Sequence, residues 1–170
     1  MDHPVAATAG DPDQATLALQ AAYRYLDKRE RTLAEVCRRL RREGYSDATV
    51  ARALRTLAET GAVDDARFAR LFTQDKRELE QWGSERIRRA LLGRGVDQEA
   101  IASALEDGPG RDASAQRELE HERALELLRG RFPSPPRDRR GRERALGLLL
   151  RKGYEPELAL DVTAAYARTA

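Results

Sequence analysis

The run TLAEVCRRLRREGYSDATVARAL, residues 32–54, decides the fold, because the chain repeats its plan twice more. GSERIRRALLGRGVDQEAIASAL follows at 83–105 and GRERALGLLLRKGYEPELALDV at 141–162. The three align on Gly44, Gly95 and Gly153, spaced 51 and 58 residues apart. Self-similarity at such a period is the mark of a repeat architecture.

Each copy reads as helix, tight turn, helix. Leu40, Leu91 and Leu149 stand four residues before the glycine, and Val36, Ile87 and Ala145 stand one turn earlier on the same inward stripe. A glycine after Lys and Arg residues suits a left-handed C-terminal cap, with cations placed near the negative helix end. The next residue, Tyr45, Val96 or Tyr154, supplies the apolar contact of a Schellman-type cap. Ser46 and Asp97 offer N-cap oxygens to the following helix, and Pro156 suits a first helical turn.

A longer helix precedes each pair. In 15–29, Leu19, Ala22, Tyr23 and Leu26 share a face; in 64–82, Phe68, Leu71, Phe72 and Leu79 do; in 113–130, Leu119, Leu125 and Leu128 do. The expectation is an all-α protein of three tandem three-helix repeats, at 14–60, 61–107 and 112–170. Residues 1–13 read as a disordered tail and DGPGR, 107–111, as a hinge. FPSPP, 132–136, cannot be helical and reads as a stiff extended loop inside the third repeat.

Composition excludes several functions. One cysteine, Cys37, cannot form an internal disulfide, and His3 and His121 lie far apart, without zinc-ligand spacing. No apolar run approaches the roughly 20 residues that span a bilayer, and the acidic start MDHPVAATAGDPDQ is no secretory signal. A cytoplasmic location is the resulting expectation. No Gly-rich phosphate loop or nucleophile elbow is present, and the Asp64–Asp65 pair lacks an obvious third carboxylate for a cation. We therefore expect no catalysis, no cofactor and no metal.

The net charge of +2 hides a strong segregation. Residues 28–44 carry +4, residues 84–95 carry +3 and residues 137–152 carry +5, which leaves −10 for everything else. Arginine in particular suits bidentate contact with phosphate or carboxylate. Arg38, Arg39, Arg42, Arg86, Arg89, Arg140 and Arg144 are the expected partner contacts. A basic helix face is often plain solvated surface; its recurrence in all three copies against an acidic remainder favours the functional reading. Asp64 and Asp65 read as caps of the helix they open, Phe68 and Tyr45 as core, and Trp82 as a packing residue more than a base-stacking platform.

Three ordered motifs carry a resemblance to a known family. YLDKRERTLAEVCRRLRREGY at 25–45, DDARFAR at 64–70 and WGSERIRRALLGRGVDQEAI at 82–101 resemble the signatures of the RecX regulatory proteins, over about residues 15–168. The resemblance implies an elongated, curved array of three-helix repeats that binds the helical groove of the RecA–DNA filament as a monomer. It further implies modulation, usually inhibition, of recombinase ATPase, coprotease and strand-exchange activity, and for some members direct phosphate contacts with single- or double-stranded DNA. A helix-turn-helix protein acting on duplex DNA is the competing expectation, since three-helix units with a glycine turn are that motif's raw material. Against it, the basic helix is the middle one, and 47–60 and 97–107 hold few side chains suited to base edges.

Overall fold

The computed structural model describes residues 12–106 and 112–169. They form helices α1 (Pro12–Leu26), α2 (Leu33–Arg42), α3 (Asp47–Glu59), α4 (Asp65–Glu78), α5 (Ser84–Arg94), α6 (Gln98–Leu105), α7 (Ala113–Arg131), α8 (Arg139–Lys152) and α9 (Pro156–Ala167). No strand occurs among these residues. The fold is all-α, in three successive triples of helices. By contacts the chain groups into two compact units. Unit 1 holds the residues up to Phe68 together with Arg94–Asp97, and unit 2 holds Ala69–Gly93 with the residues from Gln98 onward.

In unit 1, α1, α2 and α3 pack on one another around Ala18, Ala22, Val36, Leu40, Val50 and Leu57. In unit 2, α7 and α8 both pack on α9 around Leu128, Ala145, Leu149, Tyr154, Ala159 and Val162. Burying a Leu or Val side chain is worth roughly 1.5–3 kcal/mol. The inward pairs foreseen for the middle helices, Val36 with Leu40, Ile87 with Leu91 and Ala145 with Leu149, are all fully buried.

The glycine turns take the expected conformation: φ is +90° at Gly44, +84° at Gly95 and +86° at Gly153. After α2, the Tyr45 amide donates to the Leu40 carbonyl (3.3 Å) and the Gly44 amide to Arg41 (3.1 Å). After α8, Tyr154 donates to Leu149 (3.1 Å) and Gly153 to Leu150 (3.0 Å). Both are Schellman caps. The Ser46 hydroxyl accepts from Thr49 N as the cap of α3, and Pro156 opens α9. Residues 132–138 are non-helical, as FPSPP requires.

Several readings of the long helices need correction. α1 begins at Pro12, inside the segment read as a tail, and it ends at Leu26 instead of 29. Residues 1–11 and the hinge at 107–111 lie outside the described residues. The buried stripe of α1 is Ala18, Ala21 and Ala22, with Tyr23 43% exposed. In α4, which ends at Glu78 and not at 82, the buried residues are Ala69 and Thr73, while Phe68 and Phe72 are half-buried and Leu71 (45%) is exposed; Leu79 (79%) lies exposed just beyond it. In α7 the stripe centres on Ala124, Leu127 and Leu128. In α1 and α4 small residues occupy the buried stripe and bulky neighbours fall to its flanks, whereas in α7 the stripe stays bulky at Leu127 and Leu128, with Leu125 packed against it.

Asp65 corrects another expectation. Asp64 caps α4, accepting from Arg67 N at 2.8 Å, but Asp65 accepts from Leu33 N at 2.9 Å and so caps α2. The start of α2 is satisfied further by a capping box between Thr32 and Glu35. The fully buried Thr32 hydroxyl donates to the Arg94 carbonyl at 2.8 Å. Gly95 lies so close to Ala34 that a β-carbon on it would collide with the Ala34 methyl.

Unit 2 repeats this arrangement at α5. The Gly83 and Glu85 amides donate to the Lys152 and Gly153 carbonyls, at 2.9 and 3.1 Å. Ser84 donates its amide and its hydroxyl to the two Glu120 oxygens, at 2.8 and 2.6 Å. A positive helix start thus rests on a negative helix end, and the orphan groups of both find partners.

Candidate partner-binding surface

Within unit 1, α2 carries Arg38, Arg39 and Arg42, and all three are exposed. Arg39 pairs with Glu43 (Nη2–Oε1 2.5 Å) and lies 5.7 Å from the Tyr25 ring centroid. Arg42 donates to the Arg38 carbonyl at 3.3 Å, and neither it nor Arg38 has an acidic partner among the described residues. Arg41 is held by Asp47 at 2.8 Å, a hydrogen-bonded contact that raises its pKa further above the ordinary value.

Within unit 2 the expected contacts do different work. Arg86 is half-buried, with its guanidinium 4.0 Å from the Trp82 ring centroid, and it donates to the Arg151 carbonyl at 3.0 Å. It clamps the start of α5 to the end of α8 and is only partly available to a partner. Trp82 also meets Phe72 edge-on at 6.3 Å, and Lys76 Nζ sits 4.9 Å from its centroid. Packed on three sides, it is a structural residue, as expected. Lys76 hydrogen-bonds Glu80, which holds the Glu80 carboxyl below its ordinary pKa. Arg89 is exposed, donating only to the Glu85 carbonyl at 3.3 Å.

Arg140 and Arg144 come together in a groove of about 610 Å³, lined also by Arg131, Phe132, Glu143, Leu148 and Arg151. Its one acid among the described residues, Glu143, is paired with Arg139 at 2.7 Å. The groove therefore presents four guanidinium groups around an apolar floor of Phe132 and Leu148, a surface for an anionic partner. Arg131, Phe132, Leu148 and Arg151 were not foreseen. Positions 140, 144, 148 and 151 follow a helical stripe, a signal legible in the sequence. Arg131 and Phe132 come from the far side of the proline loop, and nothing local announces them. Phe132 is pinned there because its carbonyl accepts from the Tyr166 hydroxyl.

Among the described residues no three His, Cys, Asp or Glu side chains converge to hold a metal ion, and no helix is long and apolar enough to cross a membrane.

Comparison with known proteins follows the same lines. Residues 18–57 match the family described as "RecX, first three-helix domain" and residues 64–105 the one described as "RecX, second three-helix domain". A protein of Mycobacterium sp. (strain JLS) named "Regulatory protein RecX" is 35% identical, over 94% of this chain and 90% of its own. The protein of that name from Mycolicibacterium smegmatis is 33% identical, over 95% and 86%. Among solved structures, "Crystal structure of RecX from Lactobacillus salivarius" superposes with a TM-score of 0.76 at 20% identity, covering 93% of this chain and 99% of that one. A second, "Crystal structure of regulatory protein RecX", gives 0.70 at 22% identity, over 89% and 72%.

Proposed function

The chain belongs to the RecX family of regulatory proteins, and from that premise we propose that it binds the RecA–DNA filament in the cytoplasm, as a monomer, and restrains the recombinase. The arginine-bearing faces of α2, α5 and α8 meet filament phosphates or acidic protein surface. By engaging neighbouring protomers they limit the subunit motion that accompanies ATP turnover and strand exchange, and so lower ATPase, coprotease and exchange activity. No step requires a cofactor or a reacting side chain.

One observation supports this reading above the others: the groove of Arg131, Arg140, Arg144 and Arg151, where four cations face one carboxylate that is already paired. Such a concentration of like charge raises the local density of anionic partners and speeds their capture.

Co-sedimentation with RecA filaments on single-stranded DNA, alongside an ATPase assay, tests the proposal. Reversal of Arg38, Arg42, Arg140 and Arg144 to Glu touches only exposed side chains with no ion pair among the described residues, so the fold is retained. Binding should fall at least tenfold, roughly 1.4 kcal/mol. Unchanged binding removes the arginine faces from the proposal. No binding to filaments, together with thousandfold discrimination between naked duplex sequences, would replace it with the helix-turn-helix reading.

A further inference from the structure

Unit 1 holds a second basic cavity, of about 420 Å³, between the end of α1, the turn at 27–31 and the last turn of α2. Arg24, Lys28, Arg31 and Arg39 line it with Glu43 and Tyr25. Arg31 stacks on Tyr25 at 4.3 Å from the ring centroid, and Arg39 lies over the same ring. Glu43, the only acid lining it among the described residues, is paired with Arg39. Among the described residues Arg24, Lys28 and Arg31 have no acidic partner, and Arg31 Nε is buried without an acceptor. An unpartnered buried donor is costly, and so is a cluster of like charges with nothing between them.

We propose that this cavity is a phosphate-binding site. Tyr25 fixes two guanidinium groups against its ring, where cation–π contact holds them without neutralising them. With those groups against it, Tyr25 serves as the floor that positions cations and offers little room for a stacked base. Arg24 and Lys28, one helical turn apart, supply further donors from the side. Four cations against one paired carboxylate call for a ligand of more than one negative charge, and guanidinium forks match phosphate oxygens bidentately. The phosphate is one in a nucleic-acid backbone or a free phosphate group; the cavity chemistry is the same for both. The site belongs to the isolated chain and does not depend on the filament reading.

The test follows backbone amides of residues 24–43 and arginine side-chain Nε–H groups by NMR in the full chain without recombinase. Three probes are titrated: inorganic phosphate, a short oligothymidylate, and decaglutamate. Oligothymidylate should shift residues 24–43, with binding weakened severalfold or more between 50 and 200 mM salt. The double variant R24Q/K28Q should weaken it at least tenfold; neither side chain has a structural partner, so the fold persists. Shifts with oligothymidylate alone identify a polymer phosphate, and equal shifts with inorganic phosphate identify a free one; both support the site. Shifts with decaglutamate only, no shifts with any probe, or full binding by R24Q/K28Q overturn it. Filament co-sedimentation of R24Q/K28Q is read separately, so loss of the cavity with retained filament binding counts against this site alone.

Discussion

Three glycines share one backbone conformation but differ in what lies over them, and that difference predicts three unequal costs on substitution by alanine. A left-handed L-residue costs roughly 1–2 kcal/mol, and stiffening the unfolded chain returns roughly 0.4–1 kcal/mol. At Gly44 a β-carbon meets nothing within 4 Å among the described residues. Gly44→Ala should therefore destabilise unit 1 by about 0.5–1 kcal/mol. At Gly153 the same β-carbon would sit 2.7 Å from Arg86 N and 2.9 Å from Arg86 Cα, with Arg86 Cβ closer still. Backbone cannot swing aside as a flexible side chain does, so overpacking adds roughly 1–3 kcal/mol. Gly153→Ala should cost unit 2 about 2–4 kcal/mol. Gly95→Ala, which collides with the Ala34 methyl alone, should fall between them. Urea titration with hydrogen exchange resolved by residue reads each unit through its own amides. If Gly153→Ala came within about 0.5 kcal/mol of Gly44→Ala, the close seating of α5 on the end of α8 would be wrong.

Further outcomes follow from the caps and from two titrations. Glu120→Ala leaves Ser84 N and Oγ without their acceptor and should lower unit 2 stability by about 1–2 kcal/mol in denaturant titration. Asp65→Ala should cost unit 1 about 1 kcal/mol by uncapping Leu33 N, while Asp65→Asn, which keeps an acceptor, should cost less. Burial holds the Asp65 carboxyl above its ordinary pKa against the opposing Leu33 hydrogen bond. Its contribution is therefore full below the unfolded value, about 4, and is lost as pH rises through the raised one; Asp65→Asn should flatten that decline in unit 1 melting curves. Burial also pushes the Tyr154 hydroxyl up to about 12. Unit 2 should accordingly lose stability as pH rises from about 10 toward that value, and tyrosinate absorbance should show a last step that Tyr154→Phe removes.

The turns were the most legible part of the sequence, and the long helices the least. Glycine after a cationic helix end followed by Tyr or Val has few conformational solutions, so Gly44, Gly95 and Gly153 announce themselves. The long helices mislead because apolar counting weights size. Ala18, Ala21, Ala22 and Ala69 form the contacts, and large residues such as Tyr23, Leu71 and Leu79 stay exposed. Asp65 was misassigned because its amide partner lies 32 residues away, and no local pattern encodes that distance. The arginines of α8 could be read from their spacing, whereas Arg31 could not: it stands on the turn before α2, and only the folded chain lays it on Tyr25.

The seating of a helix start on a glycine-turned end occurs once within each unit. Gly95 is covered by Ala34 and Gly153 by Arg86, while among the described residues none covers Gly44. In unit 2 α8 closes its own start, Asp138 accepting from Gly141 N at 2.7 Å, and a β-carbon on Gly141 would meet Pro136 at 3.0 Å. Within unit 2 the start of α8 is thus sealed by its own aspartate and proline, and within unit 1 the end of α2 keeps, among the described residues, an open position of the kind that Ala34 fills at Gly95. A helix start brought against Gly44 would find room, whereas one brought against Gly141 would meet Pro136, so the modules are not interchangeable even though their turns are.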